Sequence, residues 1–245
     1  MNYEYMIRKT IFLIALASCA FAQAPGEPFP MIRVLRTAGP APKYDLIRPY
    51  ADAKTSVNVF GLGSISGPSE TWLIEAHDSF ESLEAVDTAL AYNAPGGTAI
   101  LDSLPLSAST IALYRPGLSY RPEEAIRSLP KARYVNVSMY RIRAGAEDDF
   151  ATLIAQRRRA LDSVNLDRPE IAYQVVSGAP SGTYIFLSPL ATLKQLDNAV
   201  HAPAHMEGAT QIELIRERML FRMEPRFSYV SDAFAAESAE FWRGK

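Results

Sequence analysis

The chain has 245 residues, 48% of them hydrophobic and 21% charged, which is enough apolar material for one large domain or two of about 100 residues and is not the composition of a disordered chain. A formal net charge of -2, with Arg157-Arg158-Arg159 as its one basic run, argues against a phosphate-neutralising surface and hence against nucleic acid as a partner. The single cysteine, Cys19, lies near the N-terminus, so the body of the chain has no disulfide, no thiol chemistry and no thiolate metal ligand.

In chain order, the first feature is the apolar run "TIFLIALASCAFA" behind Arg8 and Lys9. At about a dozen residues it is too short for a spanning helix of about 20 and fits a secretory signal over residues 1–22, with Met6 as a second candidate start. Ala20-Phe21-Ala22 is a small-x-small cleavage site that would leave Gln23 first; Leu16-Ala17-Ser18-Cys19 resembles a bacterial lipobox, which would lipidate Cys19 instead. The expectation is an exported protein, periplasmic or secreted, or alternatively anchored to the envelope through that lipid.

Residues 30–121 then read strand, helix, strand, strand, helix, strand: "MIRVLRT", a short helix around "YDLIRPYADA" limited by Pro49, "VNVFGLG", "ETWLIEA", "SFESLEAVDTALAY" and "TIALYR". Residues 122–133 carry two prolines and many charges and read as a linker. Residues 134–231 repeat the pattern with "YVNVSMYRI", the acidic-started helix "AEDDFATLIAQRRRALDSV", "IAYQVVSG", "TYIFLS", "ATLKQLDNAV" and "RMLFRM". The tail, 232–245, can form a capped helix from Asp232 that docks Phe234, Phe241 and Trp242.

The two stretches echo one another. Trp72 aligns with Tyr184, Leu83 with Leu193, Val86 with Leu196, Asp87 with Asp197 and Leu90 with Val200; Tyr114-Arg115 and Ser119-Tyr120 recur as Phe221-Arg222 and Ser228-Tyr229. A βαββαβ unit is the ferredoxin-like arrangement, whose helices cover one face of an antiparallel sheet and leave the other needing a partner. The fold class expected is therefore α+β: two tandem ferredoxin-like units packed sheet to sheet as a pseudo-dimeric α/β barrel.

With that element order the chain resembles the dimeric α/β-barrel superfamily, and the second unit is similar to those of the antibiotic-biosynthesis-monooxygenase and NIPSNAP-like groups. The resemblance covers roughly residues 30–231 and implies the architecture. The superfamily includes cofactor-free oxygenases, haem proteins and muconolactone isomerases, so function must be sought in the site.

His77, between a strand and a helix, is a candidate catalytic base, although Asp78 or Ser79 as an N-cap explains that segment equally well. His201 and His205 have metal-ligand spacing, but Pro203 between them breaks a regular helix and Glu207 is the one nearby carboxylate; no metal is predicted. Haem, the one cofactor the resemblance allows, would use His201. Arg157 sits in the apolar stripe of Phe150, Leu153, Ile154, Leu161 and Val164, where it must snorkel, pair or meet an anion. Asp87 and Asp197 read as a shared structural hydrogen bond. Asn136, Ser138 and Tyr140 occupy one face of a strand; turned into the barrel, they would line a pocket with Trp72, Tyr114, Arg115, Tyr173, Gln174 and Arg222, with Tyr140 a second catalytic candidate.

The leading reading is a binding or envelope-interaction module, for a small apolar or aromatic molecule, acting as a monomeric pseudo-dimer or a homo-dimer. The alternative is a cofactor-independent enzyme of the monooxygenase or isomerase type, which needs one base and a few donors in a dry cavity. A haem protein is the minor alternative.

Overall fold

Period-two alternation of large apolar residues builds eight antiparallel strands. A computed structural model of the chain describes residues 26–39, 47–93, 106–163, 168–201 and 209–243, with the side chains of 93, 198–201, 209 and 210 left aside. The signal segment with Cys19, and His205 with Glu207, lie outside the described residues.

The strands are β1 (Met31–Ala38), β2 (Asn58–Ser66), β3 (Glu70–His77), β4 (Leu106–Tyr114), β5 (Tyr134–Ile142), β6 (Ile171–Ser177), β7 (Thr183–Leu190) and β8 (Glu213–Met223). They close into one barrel in the order β1-β3-β2-β8-β5-β7-β6-β4. Closure removes the free edges that an open sheet would expose.

Two core layers follow from the alternation. Ile32, Val34, Trp72, Ile74, Val135, Val137, Tyr173, Ile185 and Phe221 point inward and fill the lumen. On the outside, the helices α1 (Arg48–Asp52) and α2 (Phe80–Asn93) cover Leu35, Val59 and Leu73, while the helix α3 (Glu147–Ser163) lays Phe150, Leu153 and Ile154 on Tyr140, Tyr184 and Phe186. The alignment of Trp72 with Tyr184 is thus one residue out of step. Trp72 faces the lumen and Tyr184 the helix, because a slip of one position turns every side chain of a strand to the opposite face.

Two departures from the expected elements bear on the site. The presumed linker carries a seven-residue helix, Pro122–Ser128, whose Ala125 and Ile126 are buried in the lumenal core and stopper one end of the barrel. The segment expected as a helix over 191–200 instead winds as 3₁₀ turns over Leu193–His201, and Gln195 Oε1 accepts from the Ala191 and Thr192 amides at 2.7 and 3.2 Å. Asp87 is held by Arg33, whereas Asp197 is exposed on this tighter segment, so the two do not share one hydrogen bond.

The echo lies at the exits of β4 and β8. Both strands leave through a 3₁₀ turn opened by a proline, Pro116–Leu118 and Pro225–Phe227, so Arg115-Pro116-x-x-Ser119-Tyr120 matches Glu224-Pro225-x-x-Ser228-Tyr229. Ser119 Oγ donates to Arg115 O at 3.0 Å and accepts from the Ala172 amide at 2.9 Å. Ser228 Oγ donates to Glu224 O and accepts from the Gly61 amide, each at 2.9 Å. Each turn therefore clasps a strand of the opposite quartet, β6 in one case and β2 in the other. Ser119→Ala and Ser228→Ala are each expected to lose about 1–2 kcal/mol of stability by orphaning a buried amide. Because they share no partner, the double variant should lose the sum in urea melts; a strongly non-additive result would contradict two separate clasps.

Candidate functional site

The barrel interior is solid at the stoppered end, where Phe29, Phe60, Ile126, Leu129, Tyr173 and Met223 leave only about 30 Å³ between them. At the opposite end a cavity of about 300 Å³ opens between the last residues of β1 and β5, the first of β4 and β8, and the β6–β7 turn. Its walls include Val34, Trp72, Ala108, Met139, Ala179 and Ile185, and its charged groups are Arg36, Arg141 and Glu217. A mostly apolar cleft with a few convergent polar groups is the usual form of a small-molecule site.

The polar rim has a defined geometry. Arg36 stands beside Trp72 in the β1–β3 register and makes a two-point bond to Glu70, Nε to Oε2 at 3.0 Å and Nη2 to Oε1 at 2.8 Å. The Trp72 indole donates to Glu70 Oε2 at 2.7 Å, and the Arg36 guanidinium lies 5.0 Å from the indole centre. Partial burial pushes the Glu70 carboxyl up, but the hydrogen bonds from Arg36 and Trp72 and the Arg36 charge outweigh it and hold the group below the usual carboxylate range. Glu70 is therefore a positioned anion and a poor proton acceptor. Across the mouth, Arg141 has a buried Nε with no hydrogen-bond partner.

The sequence-nominated residues divide among three places. Trp72 lines this cavity, while Tyr114 and Tyr173, 6.1 Å apart between ring centres, belong to the lumenal packing. Arg115 Nε donates to Gln174 Oε1 at 2.7 Å on the surface, and exposed Arg222 donates to Glu224 Oε1 at 2.7 Å. Asn136, Ser138 and Tyr140 do not face the lumen. Val135, Val137 and Met139 do, and the polar row is turned outward beneath α3, although Tyr140 also borders the cavity that Trp72 lines. Of the residues expected to join in one pocket, Trp72 and Tyr140 are the two that line this cavity. Arg157 lies on that same outer side and is paired with Glu170, Nη1 to Oε1 at 2.7 Å and Nη2 to Oε2 at 2.9 Å.

His77 belongs to a third place, the outer face under α1 and α2. It is 1% exposed, with Nε2 3.0 Å from Glu75 Oε2. Glu75 also accepts from Arg33 Nε and Nη2 at 2.6 and 3.0 Å and from the Tyr50 hydroxyl, and Arg33 reaches Asp87 Oδ1 at 2.7 Å. Burial drives the Glu75 carboxyl up, but the hydrogen bond from His77, the charge and hydrogen bonds of Arg33 and the Tyr50 hydroxyl together hold it below the usual range. Burial and the Glu75 charge push the Tyr50 phenol well above its ordinary value. The network is closed and has no cavity beside it among those described, so His77 reads as a structural histidine; Ser79 Oγ, accepting from the Ser82 amide at 3.1 Å, supplies the helix cap expected there. The side chain of His201 and all of His205 lie outside those described, and among the described residues no three His, Cys, Asp or Glu converge on a metal position.

Sequence reasoning missed Arg36, Glu70, Arg141 and Glu217. The available signal was a charge in phase with the lumenal residues of its own strand, as Arg36 is with Val34 and Glu70 with Trp72.

No family model and no curated protein matches this sequence. Several solved structures share the fold. A provisionally assigned monooxygenase from Fusobacterium nucleatum subsp. nucleatum has a TM-score of 0.53 at 10% identity, over 80% of this chain and 93% of that one. A provisionally assigned chlorite dismutase has a TM-score of 0.54 at 13% identity, over 85% and 97%. The chlorite dismutase of Candidatus Nitrospira defluvii, in complex with imidazole, has a TM-score of 0.51 at 12% identity, over 82% and 93%. At these identities the likeness is one of architecture, and it shows that this chain shares the α/β-barrel fold of those structures.

Proposed function

We propose that this chain is an exported pair of ferredoxin-like units fused into one barrel, and that it binds a small, mostly apolar or aromatic molecule with a polar or acidic end in the open end of that barrel. The fusion is supported by strand order. Each quartet, β4-β1-β3-β2 and β6-β7-β5-β8, places its first and third strands at the centre, and the reciprocal serine clasps join the two. Export is supported by the N-terminal apolar run behind Arg8 and Lys9 and by a body without cysteine.

The observation that carries the binding reading is the cavity of about 300 Å³, apolar along its walls, with the unpartnered Arg141 Nε at its mouth. The ring of the ligand would stack among Trp72, Met139 and Ile185, and its acidic group would meet Arg141, whose Nε lacks a partner. The enzyme alternative would use the same cavity, but among the described residues the only carboxylate lining it is Glu217, exposed at the rim, and Glu70 beside it is committed to Arg36. A binding module therefore fits the geometry better than a cofactor-independent monooxygenase or isomerase.

The test uses naphthoate as a probe. With Trp242→Phe removing the other tryptophan, naphthoate should change Trp72 fluorescence saturably, and Ala108→Phe, which fills the cavity, should weaken binding at least tenfold. Equal affinity in the filled variant would reject this location.

A further inference from the structure

The outer faces of the two quartets carry different charge balances. Under α1 and α2, Arg33 is answered by two carboxylates, Glu75 and Asp87, and Tyr50 and His77 close the remaining bonds. On the corresponding face of the second quartet, β5 contributes Asn136, Ser138 and Tyr140, and β8 places Arg218 opposite Ser138 and Arg216 opposite Tyr140. The Arg216 guanidinium lies 5.1 Å from the Tyr140 ring centre. Arg168, just before β6, and Arg157 on α3 lie within electrostatic range of Tyr140 and Arg218. Among the described residues, the carboxylates within that range are Glu170, both of whose oxygens are taken by Arg157, and Glu213, which burial holds above the usual carboxylate range despite Arg216, Arg218 and Arg157.

Among the described residues, four guanidinium groups thus face two carboxylates. Burial, with repulsion from the other arginines, lowers Arg168 and Arg218 relative to ordinary guanidinium groups, although neither can shed its proton. Several donors are also unanswered: the Tyr140 hydroxyl, on a side chain 1% exposed, and the Nε groups of Arg168 and Arg216 have no hydrogen-bond partner, and neither does Asn136 Nδ2. Buried donors without acceptors beside uncompensated positive charge are costly unless an anion supplies both.

We propose that this outer face of the second quartet is an oxyanion site for a phosphate group, held by Arg168, Arg216, Arg218 and the Tyr140 hydroxyl, with Arg157 fixed as one wall by Glu170. A dianion matches the two unbalanced charges, and guanidinium groups are suited to oxygen pairs on phosphate. Tyr140 also borders the barrel cavity, whereas Arg168, Arg216 and Arg218 do not line it, so the arginine variants test this site apart from ligand binding there.

The test is calorimetric titration of the full chain with inorganic phosphate at constant ionic strength, alongside acetate and citrate. One phosphate per chain should bind saturably and raise the melting temperature. Arg218→Gln, at a side chain with no ion pair or hydrogen bond among the described residues, should weaken phosphate binding about tenfold or more, as should Tyr140→Phe, which keeps the ring and removes the hydroxyl. Arg226→Gln, on the remote 3₁₀ turn, should leave the affinity unchanged. Tighter binding of citrate or acetate than of phosphate would overturn the phosphate assignment. No saturable binding, or the same affinity in Arg218→Gln and Arg226→Gln, would overturn the site.

Discussion

Glu75→Ala is expected to destabilise the fold by about 3–5 kcal/mol, among the largest losses available to a single substitution in this chain. The carboxylate is wholly buried and serves Arg33, Tyr50 and His77 at once. Its removal leaves the Arg33 guanidinium, 13% exposed, with Asp87 alone, and strands a buried phenol and a buried imidazole. The measurement is the urea midpoint at unchanged slope, and a loss under about 1 kcal/mol would show that the network is not acting as a unit. The pH dependence has a definite sign. Because the folded state holds the Glu75 carboxyl below its unfolded value, the unfolded chain binds the proton first as pH falls. The stabilisation is present above the unfolded value of about 4.3 and is lost as pH drops through the folded one. Wild type should therefore lose more stability than Glu75→Gln on going from neutral pH to acid below that range.

The legible part of this protein was its periodicity. Alternation in "YVNVSMYRI" and "ETWLIEA" marks β5 and β3, and the repeated Ser-Tyr marks where each quartet ends. Facing was harder, because alternation says that Asn136, Ser138 and Tyr140 share a side without saying which. The neighbours Val135, Val137 and Met139 are equally able to fill a lumen or to lie under a helix, and only closure of the barrel decides between them. Glu75 and Arg33 look like isolated charges in apolar strands; their partnership depends on the β1–β3 register, in which they are directly paired. The plug over Pro122–Ser128 was hidden for a different reason. Its proline and glutamates are typical of a surface link, and within it Ala125 and Ile126 turn inward.

The seam between the quartets yields the second large effect. Gly61→Ala should cost on the order of 3 kcal/mol, because a β-carbon there would stand 2.3 Å from Phe227 O and 2.6 Å from Phe227 Cβ, and a backbone turn cannot yield as a flexible side chain can. Gly61 is also held at both ends, its amide by Ser228 Oγ at 2.9 Å and its carbonyl by the Glu224 amide at 2.8 Å, so it cannot retreat without opening the β2–β8 seam. The other seam provides the control. Ala172 occupies the matching place, its amide held by Ser119 Oγ at 2.9 Å and its carbonyl by the Arg115 amide at 2.8 Å, and there the methyl is accommodated with no exposure. Ala172→Gly should therefore cost only about 1 kcal/mol, from the lost methyl and the added chain entropy. Chemical denaturation of the two variants side by side measures the difference. A Gly61→Ala chain within about 0.5 kcal/mol of wild type would mean that the Glu224–Ser228 turn is free to move, and that the barrel is not held at that seam by backbone contact.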